Sequence, residues 1–277
     1  MITSLQNDQV KHLAALQTNK GRKEYKEYLI EGKRFVQEAL LRKAEICKLY
    51  FCPTFLKPSA SEQDRDGTAL NISNLVGQAR ELTIPVEEVS ETVLRKISAT
   101  EEPQGIVAIV KQPSSTWEDI KVTSKTILLI VDNIQDPGNL GTILRTALAA
   151  DVRQIILTKG TVDLYNPKVL RSTMGAVFSQ VILKDKNPQE IVDFVKRKNC
   201  TLAVSTMEGI SVFKEDASSY HPIALVIGNE AIGPSAYFLE KADKKLSIPM
   251  FNKVESLNAA MAAGIFLYEL RRQARFL

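Results

Sequence analysis

The chain has 277 residues, a formal net charge of +4, 44% hydrophobic residues and 25% charged residues. This length fits two domains, and this composition excludes the disordered, fibrous and collagen-like classes. No apolar run reaches the roughly 20 residues that span a bilayer, and residues 1–8 lack the features of a signal peptide, so we expect a cytoplasmic protein. The three cysteines and two histidines match no metal-binding spacing, so we expect no metal cofactor.

The first 112 residues alternate short helical and strand-like segments, which predicts a small α/β domain. The predicted helices cover residues 10–16, 35–40, 70–81 and 92–97, and the predicted strands cover residues 28–30, 46–52, 83–89 and 105–110. Basic residues crowd its beginning and indicate either a solvated helix face or an RNA-contacting surface. These residues, which have Tyr25 and Tyr28 among them, are Lys11, Lys20, Arg22, Lys23, Lys26, Lys33 and Arg34.

A turn-rich stretch at residues 112–116 marks the boundary of this domain, and we place a linker at residues 113–124. The second domain then covers residues 125–277. Nearly continuous apolar runs in it are typical of strands in a parallel sheet that helices cover on both faces. The predicted strands are residues 126–131, 155–157, 181–183, 202–204 and 223–227, and residues 188–198 form one of the helices between them.

Residues 132–147 follow the first of these strands, and ligands of open α/β sheets bind where strands end. The pattern predicts a turn followed by a helix that Asn139 caps. Arg145 lies on this helix between Gly141 and Ala149, and these small residues leave room for a ligand beside the guanidinium. By itself, a solvated helix arginine is the simpler interpretation.

Two later segments have a similar character. Gly228 and Glu230 follow the last predicted strand, and glycine there lets the backbone approach a ligand closely. Further along, Ser256 and Asn258 open a helix of small residues, where either side chain would serve as an N-cap. Each of these segments alone has a sufficient structural explanation.

A fourth segment, residues 171–176, lies between two predicted strands and begins with Arg171. This arginine would contact phosphate or pair with a surface carboxylate. The chain has neither a Gly-x-Gly-x-x-Gly turn nor a Walker sequence, so a dinucleotide or triphosphate site has no support.

Together, and in this order, the segments resemble the three motifs of the SpoU (TrmH-type) RNA 2'-O-ribose methyltransferases of the SPOUT superfamily. The matching residues are Asn139 and Arg145 in the first motif, Gly228, Asn229 and Glu230 in the second, and Glu255, Ser256, Leu257 and Asn258 in the third. Ala231 and Asn252 depart from the pattern, which has glycine at these positions. Residues 1 to about 112 more loosely resemble the ribosomal-protein-like substrate-binding domain of many members.

The resemblance implies a C-terminal SPOUT-type parallel sheet with helices on both faces and a deep trefoil knot, which is an exception to the rule that chains do not thread loops. It also implies a homodimer formed through the knotted domain, and Ala259, Ala262 and Ala263 would suit close packing either around the knot or at that interface. The implied cofactor is S-adenosylmethionine. Its implied binding residues are Thr206, Met207, Glu208, Gly209, Gly228, Asn229, Ile248, Met250 and Leu257.

The implied activity is methylation of a ribose 2'-hydroxyl, with 23S-type ribosomal RNA as the first substrate candidate. The alternatives are a tRNA 2'-O-methyltransferase, a base methyltransferase of the same fold, and an inactive RNA-binding ribosome-assembly factor. The implied catalytic residues are Asn139, Arg145, Glu230, Ser256 and Asn258. Because arginine stays protonated in proteins, we expect Arg145 to bind phosphate and stabilise the alkoxide.

RNA is the expected partner, and neither DNA nor a membrane is expected to bind. The 2'-hydroxyl requirement excludes DNA as a substrate. The residues expected to contact RNA are Lys23, Lys26, Arg34, Arg145 and Arg171.

Overall fold

The computed structural model describes residues 1–56, 70–220, 222–229, 231–252 and 256–274. Its contacts divide the chain into two compact units. The first unit contains Met1–Pro113 and the short segment Tyr165–Arg171. The second unit contains Ser114–Leu164 and Ser172–Leu277.

The first unit is a four-stranded mixed sheet with helices. Its helices are α1 (Asp8–Leu16), α2 (Asn19–Tyr25), α3 (Lys33–Leu41), α4 (Ile72–Glu81) and α5 (Glu91–Ile97). Its strands are β1 (Glu27–Glu31), β2 (Ile46–Phe51), β3 (Val86–Glu88) and β4 (Ile106–Lys111), in the spatial order β1-β4-β2-β3. β4 is antiparallel to both neighbours, whereas β2 and β3 are parallel. The predicted elements of this half are confirmed, with boundaries shifted by a few residues.

Helix α2 was not predicted from the sequence, and it changes the interpretation of the basic cluster. Thr18 caps this helix by accepting a hydrogen bond from the Gly21 amide at 3.1 Å. Arg22, on the same helix, is buried and donates hydrogen bonds to the carbonyl oxygens of Leu16 and Gln17 at 3.0 and 2.8 Å. The expectation that Arg22 belongs to a solvated or RNA-contacting face is therefore wrong. Its guanidinium instead supplies hydrogen-bond donors to the carbonyl oxygens at the carboxyl end of α1, which have no partner within the helix.

The second unit is built around a six-stranded, fully parallel sheet in the order β10-β8-β9-β5-β6-β7. Its strands are β5 (Ile127–Val131), β6 (Gln154–Thr158), β7 (Val181–Lys186), β8 (Thr201–Ser211), β9 (Ile223–Ile227) and β10 (Lys244–Ser247). Every residue of β5 and β9 is buried, as expected for central strands covered on both faces. The prediction of a parallel α/β sheet is confirmed, although β10 was not predicted.

Five helices belong to this half of the sequence: α6 (Pro137–Ala149), α7 (Pro167–Thr173), α8 (Pro188–Arg197), α9 (Ala236–Lys241) and α10 (Ala259–Gln273). Apolar residues of α8 and α9 form one core with Leu128, Ile130 and Val226 on one face of the sheet. α10 contacts α6 and β9. Within the described ranges, no helix is both long and apolar enough to cross a membrane.

The strand order reverses between β5 and β9, since β6 and β7 lie on one side of β5 while β9, β8 and β10 lie on the other. Such a reversal opens a crevice at the carboxyl ends of the strands, where open α/β sheets bind ligands. The trefoil knot stays a prediction.

Candidate active site

A cavity of about 620 Å³ opens at this end of the second unit. Its volume lies within the range of ligand-binding clefts. Its wall comes from the middle of β8, the loop after β9, the chain between β10 and α10, and residues of α9 and α10. The lining residues are Ser205, Thr206, Met207, Glu208, Ile227, Gly228, Asn229, Ala231, Ile232, Gly233, Pro234, Leu239, Ile248, Met250, Ser256, Leu257, Ala259, Ala262 and Phe266.

All but one of the residues expected to bind the cofactor line this cavity. The exception is Gly209, which lies in β8 and packs against β10. A Cβ atom there would lie 2.6 Å from the backbone carbon of Leu246, and the Ser247 hydroxyl donates to the Gly209 carbonyl at 2.7 Å. Gly209 therefore allows two strands to approach, whereas its neighbours Met207 and Glu208 face the cavity.

The lining suits a ligand with a cationic part and an apolar part. Among the lining residues that the structure describes, Glu208 is the one charged side chain, and neither lysine nor arginine is among them. S-adenosylmethionine combines a cationic sulfonium and a zwitterionic amino acid group, which make it a net cation, with an adenosine that suits apolar contacts. The described lining therefore fits this cofactor.

The loop after β9 folds back tightly on the end of that strand. A Cβ atom at Gly228 would lie 2.1 Å from the backbone nitrogen of Pro234, so only glycine fits there. The Asn229 side chain holds the loop, because its Oδ1 accepts from the Ala231 amide at 2.9 Å and its Nδ2 donates to the Asn133 carbonyl at 3.1 Å.

The structure explains one of the two departures from the motif pattern. Asn252 has a left-handed backbone, with φ of 59°, and asparagine is among the non-glycine residues that tolerate this conformation. Ala231, the other departure, lines the cavity.

The first and third motifs meet at a pair of asparagines. The Asn258 Nδ2 donates to the Asn139 Oδ1 at 2.8 Å, although the two residues are 119 positions apart. The Asn258 Oδ1 also caps α10 by accepting from the amides of Ala260 and Met261 at 3.0 and 3.3 Å. One side chain thus caps one helix and contacts the first turn of another.

The expectation that Asn139 caps α6 is wrong. The helix begins at Pro137, and Asp136 is the N-cap, accepting from the Asn139 amide at 2.8 Å. Proline at the first helical position favours this start because it lacks the N–H that would need a partner. The Asn139 side chain lies within the first turn, where it accepts the bond from Asn258.

The remaining predicted catalytic residues lie in different surroundings. Ser256 lines the cavity. Arg145 is exposed on α6 and is not among the lining residues, and it makes neither an ion pair nor a hydrogen bond with any residue that the structure describes. Glu230, and Glu255 of the third motif, lie outside the described residues.

Comparison with known proteins identifies the family. The model of the SpoU rRNA Methylase family matches residues 126–268 of this chain, which is more than half of it. The chain belongs to the SpoU rRNA methylase family. The model of the MRM3-like substrate binding domain matches residues 7–108.

Some relatives match this SpoU protein over nearly the whole of both chains. It is 34% identical over 270 residues to the 23S rRNA (guanosine(2553)-2'-O)-methyltransferase RlmP of Bacillus subtilis, covering 98% of each chain. The AdoMet-bound rRNA methyltransferase from Sinorhizobium meliloti superposes with a TM-score of 0.84 at 30% identity, covering 98% of this chain and 97% of the other. AviRb from Streptomyces viridochromogenes, in complex with the cofactor AdoMet, gives 0.81 at 28% identity, with coverage of 97% and 98%.

These matches confirm the prediction of a SpoU-type RNA 2'-O-ribose methyltransferase that uses S-adenosylmethionine. RNA is its substrate class. The individual site residues stay predictions.

The residues expected to contact RNA are exposed on this SpoU chain. Lys23 and Lys26 lie at the end of α2, and Arg34 lies in the first turn of α3. Arg171 is exposed in the last turn of α7.

Some cavity residues were missed from the sequence. Phe266 lies on α10 four positions after Ala262 and seven after Ala259, and all three line the cavity. That spacing places them on one face of the helix, so helical periodicity could have predicted that Phe266 lies beside Ala259 and Ala262. Leu239 comes from the short helix α9, which was not predicted, so no sequence pattern indicated it.

Proposed function

We propose that this protein methylates a ribose 2'-hydroxyl of large-subunit ribosomal RNA. In this proposal the cavity binds S-adenosylmethionine, and the adjoining pair Asn139 and Asn258 orients the target ribose. The observation that carries the proposal is that the second and third motifs line one cavity, while Asn258 of the third motif contacts Asn139 of the first at 2.8 Å. When bound, the cofactor supplies a methyl group on a sulfonium, which is the electrophile of the reaction.

In this proposal, different residues of the cavity wall hold different parts of the cofactor. The apolar side chains Ile248, Met250 and Leu257 enclose the adenosine, and the backbone near Gly228 approaches it closely. Glu208 is the acidic group among the described wall residues and balances the positive charge of the ligand.

Arg145 acts on the RNA. Its guanidinium is exposed and has no partner among the described residues, so it can pair bidentately with a phosphate beside the target ribose. There it stabilises negative charge on the 2'-oxygen as the proton leaves. Asn139, Ser256 and Asn258 orient the ribose, and the proton passes to phosphate or water because arginine stays protonated.

Ribosomal RNA is the substrate that the relatives favour. The Bacillus subtilis relative is named for 23S ribosomal RNA, and residues 7–108 match a substrate-binding domain. The exposed cations of this first unit, Lys23, Lys26 and Arg34, suit contacts with RNA phosphates. For a bacterial cell, this proposal places the protein in the cytoplasm, with its substrate.

We further propose that the protein is a homodimer through its C-terminal unit. Met261 and Tyr268 are 62% and 45% exposed and lie seven positions apart on α10, so they share one face of the helix. A buried two-fold contact would cover this apolar pair. Light scattering after gel filtration should give a dimer mass, and Met261→Glu should shift it toward the monomer; a monomeric wild type would contradict the proposal.

The function is tested by methyl transfer to defined RNA. Purified protein with isotopically labelled S-adenosylmethionine should label ribosomal RNA from cells that lack the enzyme, and nucleoside mass spectrometry should locate the label on a ribose. The controls are transfer RNA, and DNA with the sequence of the ribosomal RNA, and neither should be labelled. A methyl group on a base, or transfer to tRNA alone, would overturn the proposal.

A further inference from the structure

A buried carboxylate lies directly behind the wall of the cavity. Asp132 follows the last residue of β5 and is 3% exposed. Its Oδ1 accepts a hydrogen bond from the Thr158 hydroxyl at 2.8 Å, and its Oδ2 accepts one from the Ser235 backbone amide at 2.7 Å. A buried carboxylate is costly unless its oxygens are hydrogen-bonded, so this arrangement serves to hold its partners in place.

The Ser235 amide matters because it ends the loop that forms one wall of the cavity. Residues Gly228 to Pro234 of this loop are wall residues, except Glu230, which the structure does not describe. At the start of the loop, the Asn229 side chain donates to the Asn133 carbonyl at 3.1 Å. Two consecutive residues after β5, Asp132 and Asn133, therefore hold the two ends of the loop.

Thr158 fixes these two residues from the other side. This threonine ends β6 and is 2% exposed. Its hydroxyl donates to Asp132 and accepts from the Asn133 amide at 3.0 Å. Asn133 has a left-handed backbone, with φ of 55°, and this bond helps to hold that conformation. We call Asp132, Asn133, Thr158, Asn229 and Ser235 the brace.

We propose that Asp132 is a positioning residue for the cofactor, which it never touches. It is not among the lining residues, and it acts through the Ser235 amide to keep the loop after β9 closed against the end of that strand. A loop fixed before the ligand arrives binds more tightly, because less ordering accompanies binding. The proposal rests on the assignment of the cavity to S-adenosylmethionine.

The test compares cofactor binding in three variants by calorimetry with S-adenosylmethionine alone. Asp132→Ala leaves the Ser235 amide without its acceptor, and we expect the Kd to rise about ten-fold. Asp132→Asn keeps one acceptor for that amide, and we expect a Kd within about three-fold of wild type. Asp243→Ala is the matched control, because exposed Asp243 accepts from the Leu202 amide at 2.8 Å at the start of β8, and its Kd should be unchanged.

Further measurements separate positioning from general destabilisation. In Asp132→Ala, amide hydrogen exchange should accelerate in residues 229–235 while the strands stay protected. The KM for S-adenosylmethionine should rise, whereas kcat at saturating cofactor and the Kd for RNA without cofactor should stay within about two-fold.

The outcomes distinguish this proposal from the function on which it rests. Wild-type protein that does not bind S-adenosylmethionine would refute the cavity assignment itself. Wild-type binding together with an unchanged Kd in Asp132→Ala, or equal losses in Asp132→Ala and Asp243→Ala, would refute the role of Asp132 alone. If Asp132→Ala does not fold, Thr158→Val removes both hydrogen bonds of the Thr158 hydroxyl, to Asp132 and from the Asn133 amide, and should raise the Kd about three-fold. An unchanged Kd would likewise refute the role.

Discussion

The proposed cofactor cavity and the exposed face of α6 differ in how firmly their side chains are held. On the cavity side, the loop after β9 is tied by hydrogen bonds to Asp132 and Asn133 after β5, and a buried hydrogen bond joins Asp132 to Thr158 at the end of β6. On the α6 side, Arg145 is exposed and has no partner among the described residues. A small ligand gains affinity from a preformed site, whereas an arginine that pairs with an RNA phosphate must stay free until the RNA arrives.

The largest expected effect lies on the exposed side. Arg145→Ala should lower turnover about 100- to 1000-fold, because it removes the charge that we propose stabilises the reacting oxygen, while the Kd for S-adenosylmethionine stays near wild type. Turnover and calorimetry measured together check this. Arg197→Ala, which removes another exposed arginine of the same unit, should have normal turnover. Retained turnover in Arg145→Ala would contradict the proposal that the α6 face acts on the RNA while the cavity binds the cofactor.

A change within the cavity wall should have the opposite signature. In Gly228→Ala, the new Cβ would meet the Pro234 nitrogen at 2.1 Å and the Gly233 carbonyl carbon at 2.4 Å, so the backbone must move. Such overpacking should raise the Kd for S-adenosylmethionine about 10- to 100-fold. RNA affinity without cofactor should not change. Normal cofactor binding would mean that the loop is less firmly held than the structure indicates.

The asparagine pair joins the two regions, and its two roles can be separated. Asn258→Ala removes the cap of α10 and the contact with Asn139, and should cost about 1 kcal/mol of unfolding free energy. Asn258→Ser keeps a capping oxygen, so its stability should stay near wild type. Both variants should lower kcat about ten-fold if the contact orients the substrate. Denaturant unfolding and initial rates decide this, and full turnover in Asn258→Ser would show that the contact is only structural.

The smallest expected effect is a control in the first unit. A Cβ atom at Gly77 in α4 would have no heavy atom within 4 Å. Gly77→Ala should therefore raise the unfolding free energy by about 0.5–1 kcal/mol, because alanine loses less conformational entropy in a helix. Cofactor binding should be unchanged. A loss of stability would contradict the open surroundings of this residue.

Local patterns in the sequence predicted most of the fold. The apolar runs of β5 and β9 and the helical spacing in α1 and α4 each depend on residues close together in the chain, so their periodicity is visible without the structure. Elements with weak local signals were missed. Helix α2 contains glycine and four charged residues in seven, and β10 has only four residues.

The sequence by itself determined which residues carry the family motifs and, through them, the fold class, the activity and the cofactor. Only the tertiary structure decided that Arg22 is buried, that Asp136 rather than Asn139 caps α6, and that Asp132 lies behind the cavity wall. The bond between Asn139 and Asn258 spans 119 positions, and the bond between Asp132 and Ser235 spans 103. Periodicity and propensity act over a few residues, whereas these contacts depend on the order in which parallel strands pack, which no local pattern specifies.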